Sequence, residues 1–324
     1  MKNSKKLFIL SEIALGLMVI IVAVIMVREK NGRDLQKISV IVQNSDDNQW
    51  SAFKYGLKMA AQDKEVEVFI VNTGNITTME EEIDIIQDEI ENGADAVIIQ
   101  PVSCADGERL LRKVRNKVPV MLVECATVND GEVSVFPVIK PDNYAMGQAL
   151  AEELLKDYNG NIEGKTLGII AENPDSEASA HRRQGVEDAL KDTGAEICWS
   201  VAGAYEENKE AALEMQPKAD IVIALDDDSL AVAGECSVYN NLHGALIYGI
   251  GNSTEAIYYL DTGIAECLIV PDEFNVGYQS LTETADRLER YFYKMKNGTV
   301  SFAVIHREEL FSPQNQEIIF TMSQ

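Results

Sequence analysis

Short runs of consecutive apolar residues recur along the chain at the length of β-strands, and segments of helical spacing separate them. The first four runs are ISVIV at 38–42, VEVFIV at 66–71, AVII at 96–99 and VMLV at 120–123. A second series consists of KTLGIIA at 165–171, AEICWSVA at 195–202, ADIVIAL at 219–225 and ALIYGIG at 245–251. Continuous apolar strands that alternate with helices predict parallel sheets covered on both faces. The predicted fold class is therefore α/β, with two similar doubly wound lobes in succession.

The segment TMEEEIDIIQDEIENG shows the helical pattern most clearly. Its apolar positions, at steps of four, three and four residues, are Met79, Ile83, Ile86 and Ile90. Thr78 and Glu81 have the spacing of a capping box at the start of a helix, and Gly93 is placed to end it. The pattern predicts an amphipathic helix between the second and third strands.

The N-terminus carries an apolar stretch of 21 residues from Leu7 to Val27, long enough to cross a bilayer of about 30 Å as a helix. No cleavage site of the small-x-small type follows it, so an uncleaved anchor is favoured over a signal peptide. The predicted division is a basic cytoplasmic tail (1–6), a transmembrane anchor (7–27) and a polar stalk (28–36). Basic residues flank both sides, so charge alone does not fix the orientation.

The formal net charge is −25, and residues 1–34 contribute six bases and three acids, which leaves −28 on the rest of the chain. So acidic a surface repels phosphate backbones and argues against a nucleic-acid partner. The five cysteines are odd in number and contain no CxxC pair, which favours buried thiols over a disulfide scaffold or a zinc site. They are Cys104, Cys125, Cys198, Cys236 and Cys267.

Polar residues follow the apolar runs of both series. Those of the first series are Asp46, Asp47, Asn48, Trp50, Gln100, Ser103 and Glu124. Those of the second are Glu172, Asn173, Tyr205, Asp226, Asp227, Asp228, Asn252 and Ser253. In open α/β sheets, ligands bind outside the carboxyl ends of the strands, so the collection predicts a polar binding cleft. Taken singly, each residue is equally typical of a helix cap or turn.

From Lys37 onward the sequence resembles the type I periplasmic binding proteins, a sugar-binding family whose fold also forms the ligand-sensing core of lactose-repressor-type regulators. The motifs that carry the resemblance include NGADAVIIQPV at 92–102, VPVMLVE at 118–124, KPDNYAMGQALAEELL at 140–155, SAHRRQGVEDAL at 179–190 and ADIVIALDDDSLAVAG at 219–234. The resemblance implies two lobes joined by three crossovers, near Val138–Pro141, near or shortly after Gly251–Ser253, and near Pro271–Phe274. The lobes implied are 37–140 with about 272–300, and 141–271 with about 301–324. It also implies a domain outside the cytoplasmic membrane.

The resemblance also implies roles for individual residues. Trp50 falls where ribose-type members stack an aromatic ring on the sugar, and Arg182 fits the arginine of an R-x-x-G pattern, with Arg183 as an alternative. Glu124 and Cys125 stand where those members have an aspartate followed by arginine, and Gly251 stands where they have another aspartate. The loss of that arginine and of the second aspartate puts the common pentose and hexose scheme in doubt. The predicted ligand contacts are Asp47, Trp50, Gln100, Glu124, Arg182, Tyr205 and Asp226. Such a set suits a neutral carbohydrate or polyol, while the excess of carboxylates leaves an amine-bearing ligand as the alternative.

Catalysis is not indicated, because no nucleophile elbow, P-loop, dinucleotide-binding or HExxH motif occurs and the three histidines are dispersed. The LDDDS segment does not predict a metal site, since adjacent acids on a helix cannot all face one ion and Asp227 is a plausible N-cap. No cofactor is expected. Two outputs of ligand binding remain open: delivery to an ABC-type importer, or signalling to a membrane histidine kinase. The helix predicted at the N-terminus replaces the DNA-binding motif that a regulator would need.

Overall fold

The computed structural model describes residues 15–20, 35–103, 107–126, 134–172, 176–202, 209–313, 315, 316 and 318. Residues 1–36 and 37–324 form two separate compact units. In the first unit, residues 15–20 are helical, and most of the predicted anchor at 7–27 lies outside the described residues. None of the helices described is both long and apolar enough to span a membrane.

The second unit contains two six-stranded sheets, and all eight predicted apolar runs form strands in them. The first sheet has the order β11-β5-β4-β3-β1-β2 and is parallel throughout. Its strands are β1 (Lys37–Ile41), β2 (Glu67–Ile70), β3 (Ala96–Ile99), β4 (Val120–Val123), β5 (Val138–Pro141) and β11 (Gly298–Val300). The α/β class with two lobes is therefore confirmed.

The second sheet has the order β12-β10-β9-β8-β6-β7 and is parallel except for β12, which pairs antiparallel with β10. Its strands are β6 (Thr166–Ala171), β7 (Glu196–Ala202), β8 (Ile221–Ala224), β9 (Leu246–Ile250), β10 (Ala265–Pro271) and β12 (Phe302–His306). The sequence pattern did not single out β10 or β12.

Helices cover both faces of each sheet, as parallel strands with right-handed crossovers require. They are α1 (Ser51–Lys64), α2 (Met79–Glu91), α3 (Gly107–Arg115), α4 (Asn143–Asp157), α5 (Glu177–Leu190), α6 (Lys209–Glu214), α7 (Asp227–Val238), α8 (Thr254–Asp261) and α9 (Glu273–Glu289). Four clusters of buried apolar side chains form the cores, and every residue in them comes from Ile38 or later. The second unit thus builds its cores without residues 1–36.

The predicted helix at 78–93 is α2, and the Thr78 hydroxyl accepts from the Glu81 amide at 3.2 Å as the capping box implies. Met79, Ile83 and Ile86 are buried. The same buried face also contains Glu82, which is fully buried although the apolar spacing gave no reason to expect a carboxylate there. Glu82 lies three residues after Met79, so the helical turn brings it onto the inner stripe.

The chain passes between the sheets after β5, after β10 and between β11 and β12. The crossover expected near Gly251–Ser253 does not occur, because β9 and β10 pair with each other in the second sheet. The expectation of five thiols is wrong for Cys125, which is disulfide-bonded. The thiols of Cys198, Cys236 and Cys267 are free, and Cys104 lies outside the described residues.

Candidate functional site

Arg182 forms the centre of a polar cluster between the two lobes. It lies on α5, is 9% exposed, and donates from Nε to Asn143 Oδ1 at 2.7 Å and from Nη1 to the Leu225 carbonyl at 2.8 Å. Asn143 is the first residue of α4, directly after the first crossover, and Leu225 follows β8. Arg183 instead contacts Glu187 and Ser200 and is partly exposed. The guanidinium of Arg182 is therefore held at the strand ends, and that of Arg183 is not.

Glu124 faces this arginine from the first lobe. It sits at the centre of a tight turn after β4, closed by the Cys125 amide donating to the Val123 carbonyl at 2.8 Å, with φ of 67°. A positive φ in a residue other than glycine is uncommon and is typical of functional turns. Burial raises the pKa of the Glu124 carboxyl, and the Arg182 charge opposes that rise. Glu124 Oε1 is buried without a hydrogen-bond partner among the described residues.

Glu273 is the first residue of α9 and follows the second crossover. Its side chain is buried, at 7% exposure, within hydrogen-bonding reach of Glu124. Burial and the neighbouring Glu124 charge raise the pKa of Glu273 well above its usual range. The sequence did not single out Glu273 because β10 was not recognised as a strand. The strand-end rule applied to AECLIVP would have found it.

Asp227 connects the cluster to the loop after β9. Its carboxylate accepts from the Asn252 amide at 2.9 Å and from the Ser253 amide at 2.9 Å, and burial raises its pKa. Asn252 is 5% exposed and donates from Nδ2 to the carbonyl of Gln49 in the first lobe at 3.1 Å. The strand ends of the two lobes are therefore in contact at this point.

Asp226, a predicted ligand contact, is the N-cap of α7. Its Oδ1 accepts from the Ser229 amide at 2.8 Å and its Oδ2 from the Glu172 amide at 2.9 Å. The cap was expected at Asp227, one residue later. The correction has a physical reason: Asp226 has the extended backbone of an N-cap, whereas Asp227 is the first helical residue and turns toward Asn252.

The predicted ligand contacts in the loop after β1, and Gln100 beside it, have different surroundings. Trp50 is 5% exposed, lies in the core of the first lobe against Phe53 and donates its indole N–H to the Gln43 carbonyl at 2.9 Å. Asp47 is exposed, and Gln100 accepts from the Gln43 amide at 3.1 Å. Burial of Trp50 in the core leaves little of its ring for stacking, so its role as a ligand contact stays a prediction.

Tyr205, the remaining predicted contact, lies outside the described residues. The structure thus brings Glu124 and Arg182 together, adds Glu273, Asn143 and Asn252, and uses Asp226 and Gln100 to hold loops. Within the described part of the chain, no group of three or more His, Cys, Asp or Glu side chains could hold a metal ion.

A second contact between the lobes lies at the first crossover. Lys140 on β5 is ion-paired with Glu177 on α5, whose Oε2 accepts from the Ala126 amide at 2.7 Å. Glu177 thereby connects the start of α5 to two segments of the first lobe. These bonds lie beside the hinge, where small changes in backbone angle move one lobe against the other.

Two lobes, three crossovers and a buried polar cluster where the strand ends meet define a two-lobed binding protein for a small solute. The chain belongs to the periplasmic binding protein family, because residues 38–290 match the family model described as a periplasmic binding protein domain. That family consists of solute-binding proteins and not of enzymes. No curated protein sequence matches the chain significantly.

Solved structures share the fold at low sequence identity. A carbohydrate transporter solute-binding protein from Agrobacterium radiobacter, in complex with D-arabinose, has a TM-score of 0.77 and 18% identity, covering 89% of this chain and 100% of that one. The Caulobacter myo-inositol binding protein, bound to myo-inositol, has a TM-score of 0.74 and 18% identity, with coverages of 87% and 97%. An ABC transporter solute-binding protein from Agrobacterium vitis, bound with α-D-tagatopyranose, gives 0.76 and 16%, with coverages of 87% and 98%. The likeness establishes the type I fold.

Proposed function

We propose that this protein is a membrane-tethered, extracytoplasmic solute-binding protein that closes over a carbohydrate or similar polyol and delivers it to an ABC-type importer. The observation that carries the proposal is the convergence of Arg182, Asn143, Glu124 and Asn252 where the strand ends of the two lobes meet. Such a set offers donors and acceptors at fixed positions to a ligand rich in hydroxyl groups. The relatives bound to arabinose, myo-inositol and tagatopyranose support this ligand class.

Closure follows from the position of these groups. Arg182 and Asn252 belong to the second lobe and Glu124 to the first, so a ligand that contacts all three has its highest affinity when the lobes are together. A ligand shifts an equilibrium between open and closed states by its differential affinity for them. The Lys140–Glu177 pair also joins the two lobes, beside the first crossover.

The extracytoplasmic location is supported by the disulfide at Cys125, because structural disulfides persist in oxidising compartments and are rare in the cytosol. The apolar stretch at 7–27 supports tethering by its length. Orientation then follows, with the N-terminal tail in the cytoplasm and the binding unit outside.

Signalling to a membrane histidine kinase is the alternative output. Glu12 within the predicted anchor fits either output, since a polar group in a membrane helix is commonly paired with a protein partner and both the permease and the kinase are membrane proteins. Both outputs share the binding step. Ligand-dependent uptake that is lost on deletion of the chain supports transport, whereas ligand-dependent kinase phosphorylation with normal uptake supports sensing.

We expect residues 37–324 to bind a small polar solute and to melt at a higher temperature in its presence. Residues 37–324 are suited to the test because they contain all four clusters of buried apolar side chains. The arabinose-bound structure aligns over its whole length, and the alignment covers 89% of this chain. Ligand at about 100 times its Kd should add about 2.7 kcal/mol to the free energy of unfolding. Differential scanning fluorimetry against sugars, polyols, amino acids and polyamines measures the shift.

The matched variants are Arg182→Met and Arg183→Met. Loss of the buried guanidinium should abolish the ligand-induced shift, while loss of its partly exposed neighbour should leave the shift intact. A panel without any shift, or equal effects of the two variants, would count against the proposed site.

We expect the full chain to remain in the membrane fraction with residues 1–36 attached. Mass spectrometry of the mature N-terminus and alkaline extraction of membranes measure this directly. A chain processed near Val27 and recovered in the soluble fraction would show a secreted protein instead. A variant with Leu17→Lys and Val19→Lys is the control, because two charges within the apolar stretch should release the chain from the membrane.

A further inference from the structure

Glu124 and Glu273 form a buried pair of carboxyl groups at the meeting point of the two lobes. The two side chains lie within hydrogen-bonding reach of each other. Glu124 Oε1 and Glu273 Oε2 are both shielded from solvent, and neither has a hydrogen-bond partner in the described part of the chain. Buried polar atoms without partners are costly and are expected to meet a ligand or a proton.

The charged groups that face the pair come from three elements. Lys140 on β5 is ion-paired with Glu177, and Asp227 on α7 is compensated by two backbone amides. Among the described residues, the hydrogen-bond partners of Arg182 on α5 are the neutral oxygens of Asn143 and Leu225, so its charge is left to compensate the pair. One cation against two carboxylates leaves one negative charge in a buried site.

A single proton shared between the two carboxyl groups would supply the missing charge when no ligand is bound. The raised pKa of both groups agrees with such sharing, because buried carboxylates close to each other do not both ionise. A neutral sugar brings hydroxyl donors but no charge, so the proton would have to stay. An ammonium group brings three donors and the charge together.

We propose that the ligand carries one protonated amine, which binds between Glu124 and Glu273, so that the substrate class is amino sugars or other polyhydroxylated amines with a single ammonium group. This inference rests on the proposed function and assigns the ligand of that same cleft. Hydroxyl groups of the ligand would be bound by the guanidinium of Arg182 and the amides of Asn143 and Asn252. On binding, the ammonium takes the place of the shared proton, which leaves to solvent.

Isothermal titration calorimetry on residues 37–324 tests the proposal with matched sets of ligands. The sets are D-glucosamine, D-glucose and N-acetyl-D-glucosamine, the same three forms in the galacto and manno configurations, and D-arabinose and myo-inositol as neutral references. Within the set that binds, the free amine should bind more tightly than its neutral partners by about tenfold or more, since hydrogen bonds to charged groups are worth more than 1.4 kcal/mol. Titrations in buffers of different ionisation enthalpy should show release of up to about one proton at neutral pH.

The variants separate the carboxyl pair from general acidity. Glu273→Gln and Glu124→Gln keep the shape of the side chain, and each should remove both the amine preference and the proton release. Asp228→Asn is the matched control, because Asp228 is an exposed acid on the same helix as Asp227. It should change neither quantity.

A neutral sugar that binds at least as tightly as its amine, without proton release, would overturn the inference and leave the proposed function standing. The same holds if the amine preference survives in both glutamine variants. Absence of binding by every ligand in the sets and in the wider solute panel would count against the proposed function as well as the inference.

Discussion

Replacing Gly147 with alanine is expected to destabilise the second lobe by about 2–4 kcal/mol, near the upper end of the cost of overpacking. A Cβ atom on Gly147 would lie 1.9 Å from the backbone carbonyl oxygen of Arg182, so α4 and α5 would have to move apart. The same close contact is seen from the other helix, where a Cβ on Gly185 would lie 2.2 Å from the Tyr144 carbonyl. Because Asn143 and Arg182 lie on these two helices, ligand binding should weaken together with stability.

Urea unfolding of residues 37–324 measures the first effect and the thermal shift with ligand measures the second. Gly74→Ala is the control, since no atom lies within 4 Å of a Cβ built there. Gly74 lies in the loop between β2 and α2, so its replacement controls for the exchange itself outside a helix. At Gly147, within α4, alanine would stabilise by up to about 1 kcal/mol if nothing obstructed its Cβ. An unchanged or increased free energy of unfolding in Gly147→Ala would therefore show that the helices are not in close contact.

Replacing Glu82 with glutamine is expected to stabilise the first lobe at alkaline pH. Burial raises the pKa of Glu82 to about 8, although the Val102 amide opposes part of the rise. The folded state thus binds a proton more tightly than the unfolded chain, so the stability that Glu82 contributes at low pH is lost as pH increases from about 4.5 to about 8. At about 1.4 kcal/mol per pH unit, the loss amounts to at most roughly 5 kcal/mol. Glutamine stays neutral and avoids it.

The measurement is the free energy of unfolding from urea titrations at pH 5, 7 and 9. Glu82→Gln should match the parent chain at pH 5 and exceed it increasingly at pH 7 and 9. Glu80→Gln, on the exposed face of the same helix, is the control for the general acidity of the surface. Parallel pH profiles for the parent and Glu82→Gln would show that Glu82 is not held as a neutral acid.

The close approach of α4 and α5 gives a physical reason for part of the family resemblance. In the R-x-x-G pattern, Arg182 supplies the guanidinium and Gly185 allows the helix that carries it to approach α4. The motif therefore reflects two requirements: close packing of the α4 and α5 backbones, and an arginine at the proposed binding site. Replacing either residue of the motif should affect ligand binding, the arginine directly and the glycine through the position of the helix.

The eight strands of the two apolar series, their parallel arrangement and the class of fold could be predicted from periodicity, whereas β5, β10, β11 and β12 could not. Continuous apolar runs are typical of strands buried on both faces, and their alternation with segments of helical spacing is typical of parallel sheets covered by helices. The capping box at Thr78 was equally visible, because capping depends on neighbours three residues apart. Features set by local geometry could be predicted from the sequence for that reason.

The choice among the polar residues at the strand ends was decided only by the tertiary structure. Trp50 turns into the core of its lobe, Asp226 caps a helix, and Glu273 arrives at Glu124 from a position 149 residues later in the chain. A residue that follows a parallel strand lies at the carboxyl end of the sheet, and the strand can be recognised from the sequence. The direction of its side chain depends on the turn that follows and on the other lobe, whose position is set by long-range packing across the crossovers.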